Sequence, residues 1–272
     1  MRAQALGSGL VAQSQSAIRP FPLHRPTTVA MAGELIAEHP EATIAAGCSD
    51  LMARIREGES VERLISVQHV DELRQVSLSD GGVLRIGAAV SHHAGSTHPT
   101  VRAVVPGFAA AWGSIATVRI RYTGTIGGNV MAGRTRYEMP LLLGALGAEC
   151  DYDATGRLLC GIRVNTDDLS YFGYERSMRP TATLALAIHR DGAGGQLVRA
   201  VAGSEYRPGY VLTAPGVSED PRDLDAAAIA ATLAGQLPAE CADYSGSADY
   251  RRHLVAVLAT RILRAAGERT QP

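Results

Sequence analysis

Two short stretches hold the residue types and spacing that chemistry needs. One is AAGCSDL, residues 45–51, and the other is TGTIGGNV, residues 123–130. Each combines glycine with small hydroxyl, thiol or amide side chains. Glycine has no Cβ, so its N–H can approach a bulky oxyanion that a larger residue would hold off. Successive inward N–H groups form a concave anion site, and charge-assisted bonds make such sites strong. Ser49, Thr125 and Asn129 would add donors at the rim. A pair of such bends suits a pyrophosphate. The two standard phosphate signatures are absent: there is no GxxxxGKS/T, and no GxGxxG opens a helix after a strand. Taken alone, TIGGN also reads as a plain structural turn.

The other candidates are weaker. His92 and His93 in VSHHAG have no Ser, Cys or acid in a triad pattern. They read as one helix-start residue and one exposed residue. Cys48 reads as a small side chain tolerated in a tight loop rather than as a redox thiol. Cys48, Cys150, Cys160 and Cys241 lie far apart with no CxxC pair, which disfavours a zinc or iron–sulfur site. So few cysteines in so long a chain disfavour a disulfide framework, and a reducing, cytoplasmic setting is the default. No catalytic residue and no metal ligand is assigned.

The elements that must position these bends follow from pattern and caps. TTVAMAGELIAEHP predicts a helix capped by Thr27 or Thr28 and stopped by Pro40. ATIAAG predicts a short buried strand, LMARIREG a helix ending at Gly58, RLISVQHV a strand and DELRQVSLS a helical turn. GVLRIGAAV predicts a strand, and HPTVRAVVPGFAAAWGSI is mostly helical with Pro106 opening its second piece. EMPLLLGALGAECDY predicts a helix, with Pro140 in its first turn, feeding a strand. TATLALAIHRDG and QLVRAVAGSEY form an antiparallel pair across DGAGG. DLDAAAIAATLAGQL is an amphipathic helix. The last helix starts at Ser245 or Ser247 and has an apolar stripe of Tyr250, Leu254, Val257, Leu258, Ile262 and Ala265. The fold class is α+β in two parts.

Bulk properties agree with such a chain. At 272 residues and 46% hydrophobic it can bury a substantial core. A net charge of −1 gives no electrostatic footprint for nucleic acid or an anionic membrane. All 26 basic residues are arginine, a coding bias rather than a functional sign. No apolar run reaches the roughly 18 residues of a membrane span. Residues 1–20 read as a flexible lead, not a secretion signal.

Several phrases carry a family resemblance: FPLHRPTTVAMAGEL, AGCSDL at 46–51, LISVQHVDEL, IGAAVSHH, RYTGTIGGN at 121–129 and SADYRRHLVAVLATRIL. Together they resemble the FAD-binding medium subunit of molybdenum hydroxylases, the group that includes carbon monoxide dehydrogenase and xanthine dehydrogenase. The resemblance runs from about residue 20 to 267, and its central signature is specific. It implies a two-part FAD-binding domain of the vanillyl-alcohol-oxidase (PCMH) type over 21–173, in two α/β subdomains of about 21–78 and 79–173. A C-terminal α+β domain, 174–268, would follow, with a small antiparallel sheet and helices. Ala46, Gly47, Cys48, Ser49 and Asp50, with Thr125, Ile126, Gly127, Gly128 and Asn129, would line the FAD pyrophosphate and ribityl chain. Glu138 matches an acidic position that contacts the flavin's sugar-alcohol portion, and Tyr174 an aromatic position near the isoalloxazine ring. Glu138 also reads as a helix-start acid stabilised by the helix dipole, and Tyr174 as an ordinary buried strand residue.

The implied activity is electron transfer: FAD here would accept electrons from 2Fe–2S clusters on a small partner subunit and deliver them to NAD or another acceptor. A large partner subunit would hold molybdopterin, in a possible dimer of heterotrimers. Three departures stand out. Cys48 replaces a second glycine, Tyr122 replaces the customary asparagine, and the stretch between ECDY and YERSMRP lacks the family's DFF-bearing segment. They motivate a second reading, a flavin-free scaffold subunit of the same kind of complex. A free-standing flavin oxidase is disfavoured because no substrate domain of adequate size remains.

Overall fold

The structure, a computed structural model, describes residues 20–178, 181–192, 194–218 and 220–269. The lead expected over residues 1–20 lies outside these but for Pro20. The chain starts with a three-stranded parallel sheet in the order β1-β3-β2, formed by β1 (Leu23–His24), β2 (Thr43–Ala45) and β3 (Leu64–Ser66). Helix α1 (Val29–Glu38) begins at Thr28, whose hydroxyl accepts from the Met31 amide, and buries Ala32 and Ile36. Helix α2 (Ser49–Arg56) leaves β2 through the first glycine bend and buries Leu51 and Ile55. A single 3-10 turn, Asp71–Arg74, occupies the expected helical turn.

The second sheet is antiparallel, in the order β4-β5-β7-β6, from β4 (Val76–Leu78), β5 (Val83–Gly87), β6 (Glu149–Tyr152) and β7 (Leu159–Asn165). Between β5 and β6 the chain runs through six short helices: α3 (His92–Thr97), α4 (Pro99–Val104), α5 (Pro106–Ser114), α6 (Val118–Thr123), α7 (Ile126–Met131) and α8 (Met139–Ala145). Proline opens α4 and α5 and stands in the first turn of α8, where a missing N–H costs nothing. Phe108, Trp112, Ile126, Met139 and Leu142 are fully buried against this sheet.

The third sheet is a meander, β11-β10-β9-β8, from β8 (Leu169–Arg176), β9 (Thr183–Arg190), β10 (Gln196–Gly203) and β11 (Tyr210–Gly216). Its alternation is used twice. Ala185 and Ala187 of β9 face the core shared with α5 and α8, while Leu184, Leu186 and Ile188 face the helices α9 (Ala226–Gly235) and α10 (Ala248–Arg269). Covering both faces explains why TLALAI is an unbroken apolar run.

Some expectations shift. The third sheet begins at Leu169, so residue 173 lies inside β8, and only residues 166–168 separate β7 from β8. TIGGN is not a bare turn: Thr125 caps α7 through its side chain, and the glycines sit in the first helical turn. The stripe on α10 is rotated by about one residue. Its buried face is Arg251, Val255, Leu258, Ala259, Ile262, Leu263 and Ala266, whereas Tyr250 is exposed. The phase is set by a buried ion pair, Arg251 to Asp243 at 2.5 Å, which turns Arg251 inward one position after Tyr250. Ser247 provides the cap, accepting from the Tyr250 amide.

Candidate functional site

The two glycine bends touch. A Cβ on Gly47 would lie 1.8 Å from the Thr123 carbonyl oxygen and 3.1 Å from Gly124 Cα, so glycine is required there by packing. A Cβ on Gly124 would meet His92 Cδ2 and Ser49 Oγ, each at 3.2 Å. The bends form one wall of a cavity of about 770 Å³, within the roughly 300–1,000 Å³ of small-molecule sites. Residues 115–117, 135–138 and 176–178 and the end of β10 complete it.

The first bend presents the free donors. Cys48 occupies the N-cap position of α2 but makes no side-chain cap. The amides of Ser49, Asp50 and Leu51 therefore find no acceptor among the described residues. Three uncapped N–H groups at the positive end of a helix, on the wall of a cavity, have the arrangement that favours an anion. Cys48 reaches this geometry with φ 58°, in the left-handed region. Its half-buried thiol donates to the Ala46 carbonyl at 3.5 Å, and burial pushes its pKa up, so it stays protonated.

The second bend is used differently. The Ile126 amide donates to Val90, that of Gly127 to Ala88, and that of Gly128 to the Thr125 hydroxyl. These bonds lace α7 onto the segment after β5. Ile126 and Gly127 are buried and turned away from the cavity, and a Cβ on Gly127 would strike Ala88 at 2.6 Å. Thr125, Gly128 and Asn129 face the cavity. The buried Asn129 Oδ1 has no hydrogen-bond partner, an acceptor left open for a ligand donor.

Asp50 ties the wall to the rest of the protein. Its carboxylate accepts from Tyr137 Oη and Arg134 Nε, each at 2.7 Å, and lies 3.2 Å from Arg54 Nε. Burial opposes its ionisation, but the Tyr137 and Arg134 bonds and the arginine charges outweigh that and hold its pKa below the usual range. With both oxygens engaged, the side chain is a clamp; its backbone N–H remains for the cavity. Glu138 stands at the N-cap position of α8 without capping it, and accepts from Tyr174 Oη at 2.5 Å and Arg176 Nη1 at 3.4 Å. Tyr174 does not itself line the cavity. Burial, then the Glu138 carboxylate, pushes its pKa far up, so it acts as a neutral donor that aims Glu138.

Sequence patterns did not single out two further wall residues, Ala116 and Thr117, and gave His92 no part in the site. Ala116 has φ 56° and its carbonyl is held by Arg121 Nη1 at 2.9 Å. Cys48 and Ala116 are the only non-glycine residues with positive φ among those described, and both line this cavity. Strain of this kind clusters at ligand sites. His92 opens α3 as expected but is buried, and His93 is half-buried, stacked on Tyr122 at 4.2 Å rather than exposed.

An uncapped helix start beside a glycine bend, on one wall of a cavity in an α+β fold, is the arrangement of proteins that bind a phosphorylated cofactor. Residues 17–166 match the family described as FAD binding domain in molybdopterin dehydrogenase, and the chain belongs to that family. It is similar to the xanthine dehydrogenase FAD-binding subunit of Escherichia coli O157:H7, 32% identical over 113 residues, which are 41% of this chain and 39% of that subunit. The match thus spans about two fifths of that relative. The carbon monoxide dehydrogenase medium chain of Afipia carboxidovorans is 28% identical over 92% of this chain and 98% of its own length. In structure, the chain has the fold of reconstituted CO dehydrogenase from Oligotropha carboxidovorans, with a TM-score of 0.77, 24% identity, and coverage of 93% of this chain and 99% of that one.

Proposed function

We propose that this chain is the FAD-carrying electron-transfer subunit of a multi-subunit molybdopterin hydroxylase or dehydrogenase. The observation that carries the proposal is the contact of two distant bends beside three free helix-start amides. The cavity fits the dinucleotide on three counts: its volume, the uncapped start of α2 on its wall, and the orphaned Asn129 oxygen.

In this reading the Ser49–Leu51 amides hold the diphosphate, Gly128 gives it room, and Gly47 lets the two bends meet. Thr125 fixes α7, and Asn129 accepts from the ligand. Glu138, aimed by Tyr174 and Arg176, accepts from a sugar or ribityl hydroxyl. When bound, FAD supplies the redox chemistry. Electrons would arrive from 2Fe–2S clusters on a small partner subunit, and a large partner subunit would hold molybdopterin. NAD or another acceptor would take the electrons away, and a dimer of heterotrimers in the cytoplasm is the assembly proposed. Among the described residues no helix is long and apolar enough to cross a membrane.

The test is an absorbance scan of purified protein, then titration of the flavin-stripped chain with FAD. Flavin bands or saturable FAD uptake support the reading. A colourless chain that ignores added FAD supports the second one, a flavin-free scaffold subunit, which the short β7–β8 link favours.

A further inference from the structure

We propose that His92 is a diphosphate-positioning residue, presenting an uncharged Nε2–H to the anion where the two bends meet. The inference rests on the diphosphate reading above and assigns a residue to it that lies outside both glycine stretches.

Four observations carry it. His92 is 1% exposed, yet it lines the cavity. Its backbone N–H donates to the Gly124 carbonyl at 3.0 Å, which fixes the residue beside the second bend. Its Nδ1 accepts from the fully buried Trp112 indole N–H at 2.8 Å. A neutral imidazole whose Nδ1 accepts must carry its hydrogen on Nε2. The opposite ring edge, at Cδ2, faces the point where Gly124 and Ser49 Oγ converge. No described residue accepts from Nε2.

A core histidine kept for packing would have both nitrogens satisfied or both sealed from solvent. Here one is used to set the tautomer, and the other is left for a ligand. Burial and the nearby Arg121 charge keep the ring neutral at pH 7. A neutral donor escapes the desolvation cost of a buried cation and still strengthens beside an anion in a low-dielectric pocket. Arg121 is itself occupied by the Ile115 and Ala116 carbonyls, so it contributes field rather than contact.

The test uses the full chain, stripped of flavin, with FAD and riboflavin as probes. His92→Leu should weaken FAD by about 10- to 100-fold, the loss of one hydrogen bond to a charged group. It should leave riboflavin, which has no phosphate, within about threefold. His92→Gln, whose amide N–H reaches where Nε2–H lies, should keep FAD within about threefold of wild type. In nitrogen-15 spectra of histidine-labelled protein, the resonance lost in His92→Leu should report an Nε2–H tautomer that shifts on FAD addition. Undiminished FAD binding by His92→Leu, an equal loss for riboflavin, or an unmoved Nε2 resonance overturns the assignment and leaves the FAD reading intact. Failure of the wild-type chain to bind FAD overturns both.

Discussion

Gly47→Ala tests the geometry on which the site depends. The new Cβ would sit 1.8 Å from the Thr123 carbonyl oxygen and 2.7 Å from its carbon. Ordinary carbon–oxygen contact lies near 3.3 Å, so one bend must retreat by about 1.5 Å. The obstacle is backbone and cannot swing aside. The second bend is held by the His92, Ile126 and Gly127 amide bonds, and the first by the Asp50 carboxylate on Arg134 and Tyr137. Overpacking costs about 1–3 kcal/mol, and one strained or lost hydrogen bond adds about 1. The total is about 2–4 kcal/mol, a fall in Tm of roughly 4–7 °C for a chain this size. The Ser49–Leu51 amides would move with the first bend, so FAD affinity should fall by more than 100-fold, as misplacement by an ångström does. The control is Gly113→Ala in α5, where a Cβ meets only Ser96 at 3.6 Å. It should stabilise by about 0.5–1 kcal/mol. Calorimetry and FAD titration of both variants decide the matter. A Gly47→Ala protein with wild-type Tm and Kd would show that the bends do not touch.

Three further predictions follow from single residues. Gly128→Trp should abolish FAD retention while far-ultraviolet dichroism stays native, because Gly128 is exposed on the cavity side and a Cβ there displaces only the Thr125 hydroxyl, 2.9 Å away, at the cost of one capping bond; full flavin occupancy would exclude the bend from the site. Cys48→Gly should leave stability unchanged or raise it by up to about 1 kcal/mol, since relief of about 1–2 kcal/mol of left-handed strain is partly offset by glycine's entropy of about 0.5–1. Cys48→Val should destabilise, and a urea-midpoint order of Val above Gly would refute the conformational argument. His92, with its pKa lowered from 6.5 to about 4, takes a proton more readily when unfolded. Stability should therefore be full above about pH 6.5 and fall by up to roughly 3 kcal/mol as pH drops toward 4. His92→Gln should flatten that limb, and an unchanged slope in denaturation curves would refute it.

Much of the scaffold was legible because its signals are local. Thr28, Ser247 and the prolines at 99, 106 and 140 mark helix starts that need no tertiary context. The α+β class and the antiparallel pairing of TLALAIHR with QLVRAVAG follow from alternation and a glycine-rich link. What escaped depends on long-range partners. VRIRYT alternates like a strand yet forms α6, a helix without a buried residue, started by Thr117 and stopped at Gly124. The phase of α10 is fixed by Asp243, which no periodicity reveals. The glycine bends were legible as a pair, but their division of labour was not. Which amides remain free depends on Ala88 and Val90, four helices away in sequence.

The distribution of strain bears on how the wall is maintained. Cys48 and Ala116 each hold a left-handed backbone at about 1–2 kcal/mol apiece. A right-handed Cys48 would redirect the bend that joins β2 to α2 and so the start of that helix. Relaxing Ala116 would release the segment that carries Thr117 into the cavity. Both are opposed by side-chain bonds: the long-range pairs of Asp50 with Arg134 and Tyr137 on one side, and the local bonds of Arg121 to the Ile115 and Ala116 carbonyls on the other. The side chains of these clamps stand outside the buried apolar clusters, and Asp50 and Arg121 lie two and five residues from the strained positions they serve. Rigidity at the wall is therefore supplied separately from the stability of the sheets. That separation lets the anion site keep a costly backbone while the rest of the chain folds on ordinary burial.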